Sequence, residues 1–288
     1  MTDNEKLMYE FLGRISATDA PLVFKGALIT KLILAENKTT FLNRKTIYID
    51  ANWIASPPPM SLLVDTINKS LGDLSSHFHA VAFREYEEKK SAGISIYRNG
   101  TERELFVMDI SMKPVAGSRI YHYGEAKIRG VLANEILADK ISVLSKHLIF
   151  RRAKDVVDVY ALAHAVKVQA QEIFALHKAN PSRVVGSFDE FISRREDIEH
   201  AYNKLAGIEG KPYFDDVYSY LSKFLQPFIQ RDETPLLWNS GTMSWYSPII
   251  HANEKPSVID EIRNSQKTQQ ENATPNPRKI NNKDDAEL

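Results

Sequence analysis

The hydrophobic pattern of this 288-residue chain changes character near Val131. Before that point, short apolar runs and period-two alternations are separated by glycine, proline and Asn-Gly turn signals. After it, apolar residues recur at three- and four-residue spacing. A chain patterned this way keeps its strands in one half and leaves the other to helices. The expected class is therefore α+β, a mixed sheet with helices followed by a helical carboxy-terminal half.

The amino-terminal half opens with an amphipathic helix over residues 4–16, marked by Leu7, Phe11, Leu12 and Ile15. Leu22-Val23-Phe24 then reads as a short strand, Lys25-Gly26 as a turn, and ALITKLILAEN as a helix ending at Asn37. The next strand lies in NRKTIYIDANWIASPPP, residues 43–59. Its alternation puts Thr46, Tyr48, Asp50 and Asn52 on one face and Ile47, Ile49 and Ala51 on the other, and the prolines at 57–59 end it. MSLLVDTINKSLGDL follows as a helix. Residues 80–86, 93–97 and 104–112 read as strands, with a hairpin turn at Asn99-Gly100. The last of these strands places Leu105, Val107, Asp109 and Ser111 on one side.

Two long helical stretches come next, VLANEILADKISVLSKHLIF and AKDVVDVYALAHAVKVQAQEIFALHKA. The polar, Asn-rich end has almost no large apolar side chains and reads as a disordered tail. The expected division is an α+β domain over 1–130, a helical domain over 131–250 that closes a cleft, and the tail over 262–288.

Composition removes several function classes. There is no cysteine, so thiol catalysis, disulfides and thiolate metal sites are excluded, which fits a cytoplasmic location. No apolar run is long enough to span a bilayer, and MTDNEKLMYEF lacks the regions of a secretion signal. Thirty-seven basic residues balance 37 acidic ones, so any nucleic-acid contact must come from a local patch. The eight histidines form no metal-ligand spacing, and no Ser-His-Asp order stands out.

Four features carry chemistry. A glycine between a strand and a helix, as at Lys25-Gly26, lets backbone amides approach a phosphate at the positive end of the helix, although many such glycines only make a turn. Asp109 interrupts an otherwise apolar strand, and together with Asp50 on another strand it offers the pair of carboxylates that a divalent metal and a nucleoside triphosphate require. On the helix over 132–148, Lys140 falls near the centre of the apolar face formed by Leu132, Ile136, Leu137, Val143, Leu144 and Leu148; on the next helix Asp155 also points inward. These two charges read equally well as a buried ion pair or as two groups aimed into one cleft. Arg151, Arg152 and Lys154 form a basic cluster at the joint, either a solvated turn or a contact for triphosphate or RNA backbone.

Four segments in order resemble the AbiEii/AbiGii toxin family of the nucleotidyltransferase superfamily: VFKGALITKLILAEN, RKTIYIDANW, VMDISMKP and EILADKISVLSKHLIFRRAKDVVDVYAL. The last is the most specific, with Lys140, Arg151, Lys154, Asp155 and Asp158 at the family's spacing, and together they span residues 22 to about 165. The resemblance implies a nucleotidyltransferase-like mixed sheet and a toxin of bacterial toxin-antitoxin, abortive-infection and phage-defence systems. Its activity would be magnesium-dependent transfer of nucleotides from an NTP to the 3′ end of tRNA, which blocks translation, and its partner a cognate antitoxin acting mostly on expression.

By position, Lys25, Gly26, Arg44, Thr46, Arg151 and Lys154 would bind nucleotide. Asp50 and Asp109 would hold Mg2+, and Lys140 and Asp155 would complete the catalytic set. The family's second motif has two aspartates after Arg44 and Thr46, and the first falls on Tyr48. A neutral phenol is a poor magnesium ligand and larger than a carboxylate, so impaired catalysis is expected. A shifted register pairing Asp50 with Asn52 keeps an oxygen ligand but loses the match to Arg44 and Thr46. The alternative function is a catalytically inert NTP- or RNA-binding pseudoenzyme that acts through a partner.

Overall fold

The computed structural model describes residues 3–39, 43–86 and 91–248; the tail expected over 262–288 lies outside them. The amino-terminal half runs α1 (Asp3–Ser16), β1 (Leu22–Lys25), α2 (Gly26–Glu36), β2 (Asn43–Arg44), β3 (Tyr48–Trp53), α3 (Met60–Ser70), β4 (Phe78–Arg84), β5 (Ser91–Arg98), β6 (Glu104–Ser111), β7 (Ser118–Tyr123) and β8 (Ala126–Val131). Seven of these strands form one mixed sheet in the order β4-β5-β6-β3-β1-β8-β7. The pairs β3–β6 and β1–β8 are parallel, and the others are antiparallel.

Alternation along β6 assigns the two faces of the sheet. Phe106, Met108 and Ile110 are fully buried on one side, where Phe11 of α1 meets Phe106 edge-on at 5.1 Å and Phe78 at 5.5 Å. Burying side chains of this size stabilises the fold by about 1.5–3 kcal/mol each. The opposite side carries Leu105, Val107 and Asp109, all partly exposed, so α1 leaves Asp109 uncovered.

The helical half follows as α4 (Ala133–Leu144), α5 (Ala153–Ala165), α6 (Ala170–Ala179), α7 (Asp189–Ser193), α8 (Arg195–Asn203), α9 (Phe214–Phe224) and α10 (Gln226–Gln230). The last strand of the seven-stranded sheet, β8, ends at Val131, and one hydrophobic core runs through the described residues on both sides of it, which up to Tyr246 form one compact unit.

Four features differ from the sequence reading. The β7–β8 hairpin gives little signal because its outward face carries Ile120, His122, Lys127 and Arg129; its buried face is Tyr121 and Ile128, and Gly124 turns it at φ 55°. The stretch from Ala153 to Ala179, patterned as a single helix, breaks after Ala165. Val166 is extended, and Trp238 and Ala170 make backbone bonds to Val168 and Leu236 that replace helical ones. Those bonds anchor a small carboxy-terminal hairpin, β10 (Leu237–Asn239) with β11 (Ser244–Tyr246). A further two-residue strand, β9 (Ile208–Glu209), pairs with β2.

Candidate active site

Register in the central strands aligns three charged residues. Lys25 on β1 lies opposite Asp50 on β3, and Asp50 lies opposite Asp109 on β6. Neighbouring strands are about 4.8 Å apart, and directly paired residues project from the same face. The row therefore places one cation and two carboxylates side by side on the face that α1 leaves open. Two acids opposite each other repel, so such a row is tolerable only with cations nearby.

Gly26 follows Lys25 directly and starts α2 at φ 70°, the left-handed region that favours glycine. A Cβ at this position would overlap the Asp50 carboxylate. The glycine thus serves the chain turn and also makes room for Asp50 beside the first turn of α2.

A cavity of about 230 Å³ opens beside this row. Lys25, Gly26 and Asp50 form its sheet side. Ile136, Asp139, Lys140 and Val143 of α4 face them, with Arg152 from the turn before α5 and Asp155 from its first turn. Lys140 and Asp155 therefore reach the same cleft as Asp50, and they also pair with each other: Lys140 Nζ donates to Asp155 Oδ1 at 2.8 Å and lies 2.7 Å from Asp158 Oδ2. The two readings left open by the sequence are both present, an ion pair set in the cleft wall. Burial alone would lower the Lys140 ammonium, but Asp158 and Asp155 raise it above the ordinary lysine range.

Lys25 has the opposite balance. Burial lowers its ammonium, and the attraction of Asp139 and Asp50 only partly offsets this. Among the described residues the Lys25 side chain forms no hydrogen bond or ion pair, and the same holds for the side chain of the exposed Arg152. Asp139 accepts from Arg183 Nε at 2.6 Å, and the buried Arg183 also pairs with Glu135, which ties α4 to the segment after α6. On the far side of the row, Arg84 Nη2 donates to Asp109 Oδ2 at 3.0 Å while Arg84 also bonds the backbone and hydroxyl of Ser91.

The other expected site residues lie as follows. Tyr48 is half exposed, two residues before Asp50 and therefore on the same strand face. Thr46 precedes the strand; its amide donates to the buried Glu5 at 3.1 Å, and its hydroxyl bonds the backbone of Tyr48, so it fixes how the chain enters β3. Arg151 and Lys154 are exposed and do not line the cavity, whereas their neighbour Arg152 does. The Arg44 side chain lies outside the described residues. Asn52, the partner of Asp50 in the shifted register, is buried; its amide nitrogen donates to the Lys113 carbonyl at 2.9 Å and holds the loop after β6, while its buried Oδ1 has no hydrogen-bond partner among the described residues.

Sequence reasoning missed Asp139 and Arg84 and did not separate Arg152 from its neighbours. Asp139 adjoins Lys140 on a helix whose winding was already drawn, so its direction was available. Arg84 depends on a register between strands that no local pattern reports.

Among the described residues no group of three or more His, Asp or Glu side chains is placed to hold a metal ion. Asp50 and Asp109 nevertheless fit magnesium, which commonly takes one or two carboxylates and completes its octahedron with water and substrate phosphate. Among the described residues, no helix is long and apolar enough to cross a membrane.

Several solved structures are similar in shape. JHP933 from Helicobacter pylori aligns over 80% of this chain and 91% of its own at 15% identity, with a TM-score of 0.49. MenT4, a nucleotidyltransferase toxin from Mycobacterium tuberculosis, aligns over 79% of this chain and 85% of its own at 15% identity, also with a TM-score of 0.49. An antigenic nucleotidyltransferase-like protein from Paracoccidioides brasiliensis aligns over 70% and 92% at 12% identity, with a TM-score of 0.40. No family profile and no curated protein matches the chain.

Proposed function

We propose that the chain is a nucleotidyltransferase of the toxin type that transfers a nucleotide from an NTP to the 3′ end of tRNA and so blocks translation. The observation that carries this reading is the row Lys25–Asp50–Asp109, with Gly26 making room for Asp50 beside a cavity that opens next to it.

In that reading the triphosphate lies at the amino-terminal turn of α2, where backbone amides and the helix dipole favour an anion. Lys25 and Arg152, whose side chains make no hydrogen bond or ion pair among the described residues, take its phosphates. Lys140 has its charge balanced by Asp155 and Asp158 and supports the cleft wall near the leaving pyrophosphate. Asp50 and Asp109 would hold Mg2+ together with phosphate oxygens, and a bound Mg2+ would neutralise charge on the reacting phosphates. The RNA 3′ hydroxyl attacks the α-phosphate in line, its proton leaves to solvent or an adjacent carboxylate, and pyrophosphate departs. A cognate antitoxin and a cytoplasmic role in phage defence belong to the same proposal.

Two observations favour a second reading, an inert NTP- or RNA-binding relative acting through a partner. Tyr48 stands where the resemblance expects a carboxylate, and Arg84 already occupies one oxygen of Asp109. The deciding experiment incubates the chain and its Tyr48→Asp variant with α-labelled NTPs, magnesium and total tRNA. Label on RNA from the variant supports the transferase. If the variant binds Mg–NTP and labels nothing, the inert reading replaces it.

A further inference from the structure

Beside Asp109, on the side away from Asp50, the register between β4 and β5 shifts between Ala82 and Arg84, so that Phe83 is the extra residue of a β-bulge. A bulge breaks the strict alternation of a strand and can turn consecutive side chains toward one face. That occurs here. Arg84 reaches Asp109, and the Phe83 ring lies over Gly93, the β5 residue registered opposite Asp109. A Cβ on Gly93 would overlap the Phe83 ring. Since the Gly93 Cβ direction is that of the Asp109 side chain, the ring occupies the carboxylate face of the sheet, one strand beyond Asp109.

Two features of this ring are not explained by covering a sheet glycine. Phe83 remains 55% exposed, although its neighbours across the sheet on the other face are fully buried. Its guanidinium neighbour Arg84 also sits 5.5 Å from the ring centroid, placing a cation between the ring and Asp109. An exposed aromatic face with an adjacent arginine next to paired carboxylates matches the chemistry that holds an unpaired nucleobase and its phosphate.

We propose that Phe83 is the stacking platform for the terminal base of the RNA acceptor, with Arg84 contacting the phosphate on the 5′ side of that nucleotide. This rests on the nucleotidyltransferase reading and assigns a place to its second substrate. The NTP occupies the cavity on the Lys25 side of Asp50, and the acceptor end approaches from the β4–β5 side, so that the 3′ hydroxyl arrives over Asp50 and Asp109. Phe83 acts as a positioning residue. It orients the ribose through the base and touches no reacting atom.

The test uses a short single-stranded RNA ending in 2-aminopurine, whose fluorescence is quenched on stacking, titrated into the full chain and into Phe83→Leu and Phe83→Trp variants with melting curves to check folding. Phe83→Leu still covers Gly93 with an apolar side chain but offers no π-face. The expected result is quenching by the unchanged chain, binding weakened roughly tenfold or more in Phe83→Leu, and binding kept in Phe83→Trp. Equal RNA affinity in all three would overturn the platform and leave Phe83 a cover for Gly93. Mg–ATP binding by the unchanged chain is measured alongside: if it binds ATP but no RNA, only the platform fails, and if it binds neither, the reading beneath it fails as well.

Discussion

The Asp50 carboxylate fills the space that a side chain on Gly26 would need. The relation is steric and conformational at once, since Gly26 also has φ 70°. Gly26→Ala should therefore move Asp50 or shift the start of α2. We expect a stability loss of about 1–3 kcal/mol in urea unfolding together with loss of Mg–NTP binding. A variant that binds NTP normally would show that neither the turn nor the Asp50 position matters to the site.

Lys140 is locked by two acids. Lys140→Met removes the ammonium that Asp155 and Asp158 share in a nearly buried wall, at a cost of roughly 3–5 kcal/mol. Because the folded-state pKa of Lys140 is raised, its contribution is complete below the unfolded value of about 10.4 and is lost only as pH rises through the higher folded value. The difference between the chain and Lys140→Met, followed by denaturant unfolding, should stay flat from about pH 6 to 9. A difference under about 1 kcal/mol would mean that the pair is no more than a surface salt bridge.

Lys25 predicts a different pH response. Its folded-state pKa is lowered, chiefly by burial, so its proton is lost below the ordinary lysine range. Phosphate binding needs the protonated form, and Mg–ATP affinity should fall as pH rises through that lowered value. Lys25→Arg keeps its charge at any such pH, and calorimetric titration should show the fall removed. An identical pH profile for both chains would take Lys25 out of phosphate binding.

Arg84 competes with any cation at Asp109. Arg84→Met should tighten Mn2+ binding, read by electron paramagnetic resonance, by about 1 kcal/mol or roughly fivefold, the scale of a partly exposed ion pair. Unchanged or weaker Mn2+ binding would contradict a metal-holding role for Asp109.

Much of this site was legible because it follows local periodicity. The two-residue repeat sets the faces of Asp50 and Asp109, and the helical repeat turns Lys140 and Asp155 inward; both repeats survive folding intact. What escaped detection depends on departures from periodicity or on distance in sequence. Arg152 lines the cleft where Arg151 does not because a single 3-10 turn, Ile149–Arg152, separates α4 from α5 and resets the winding. The bulge that aims Phe83 and Arg84 shows only against the register of β5. The pairing of Arg183 with Asp139 spans 44 residues, and no local pattern reports it.

The central claim is that the cavity beside Lys25, Asp50 and Arg152 takes a nucleoside triphosphate. Calorimetric titration of Mg–ATP into the unchanged chain, Asp50→Asn and the double variant Lys25→Met/Arg152→Met tests it most directly. The account predicts one site in the unchanged chain, loss of the magnesium dependence in Asp50→Asn, and affinity at least about tenfold weaker in the double variant, or about 1.4 kcal/mol. Equal affinity in all three chains, or no binding to the unchanged chain, would contradict it.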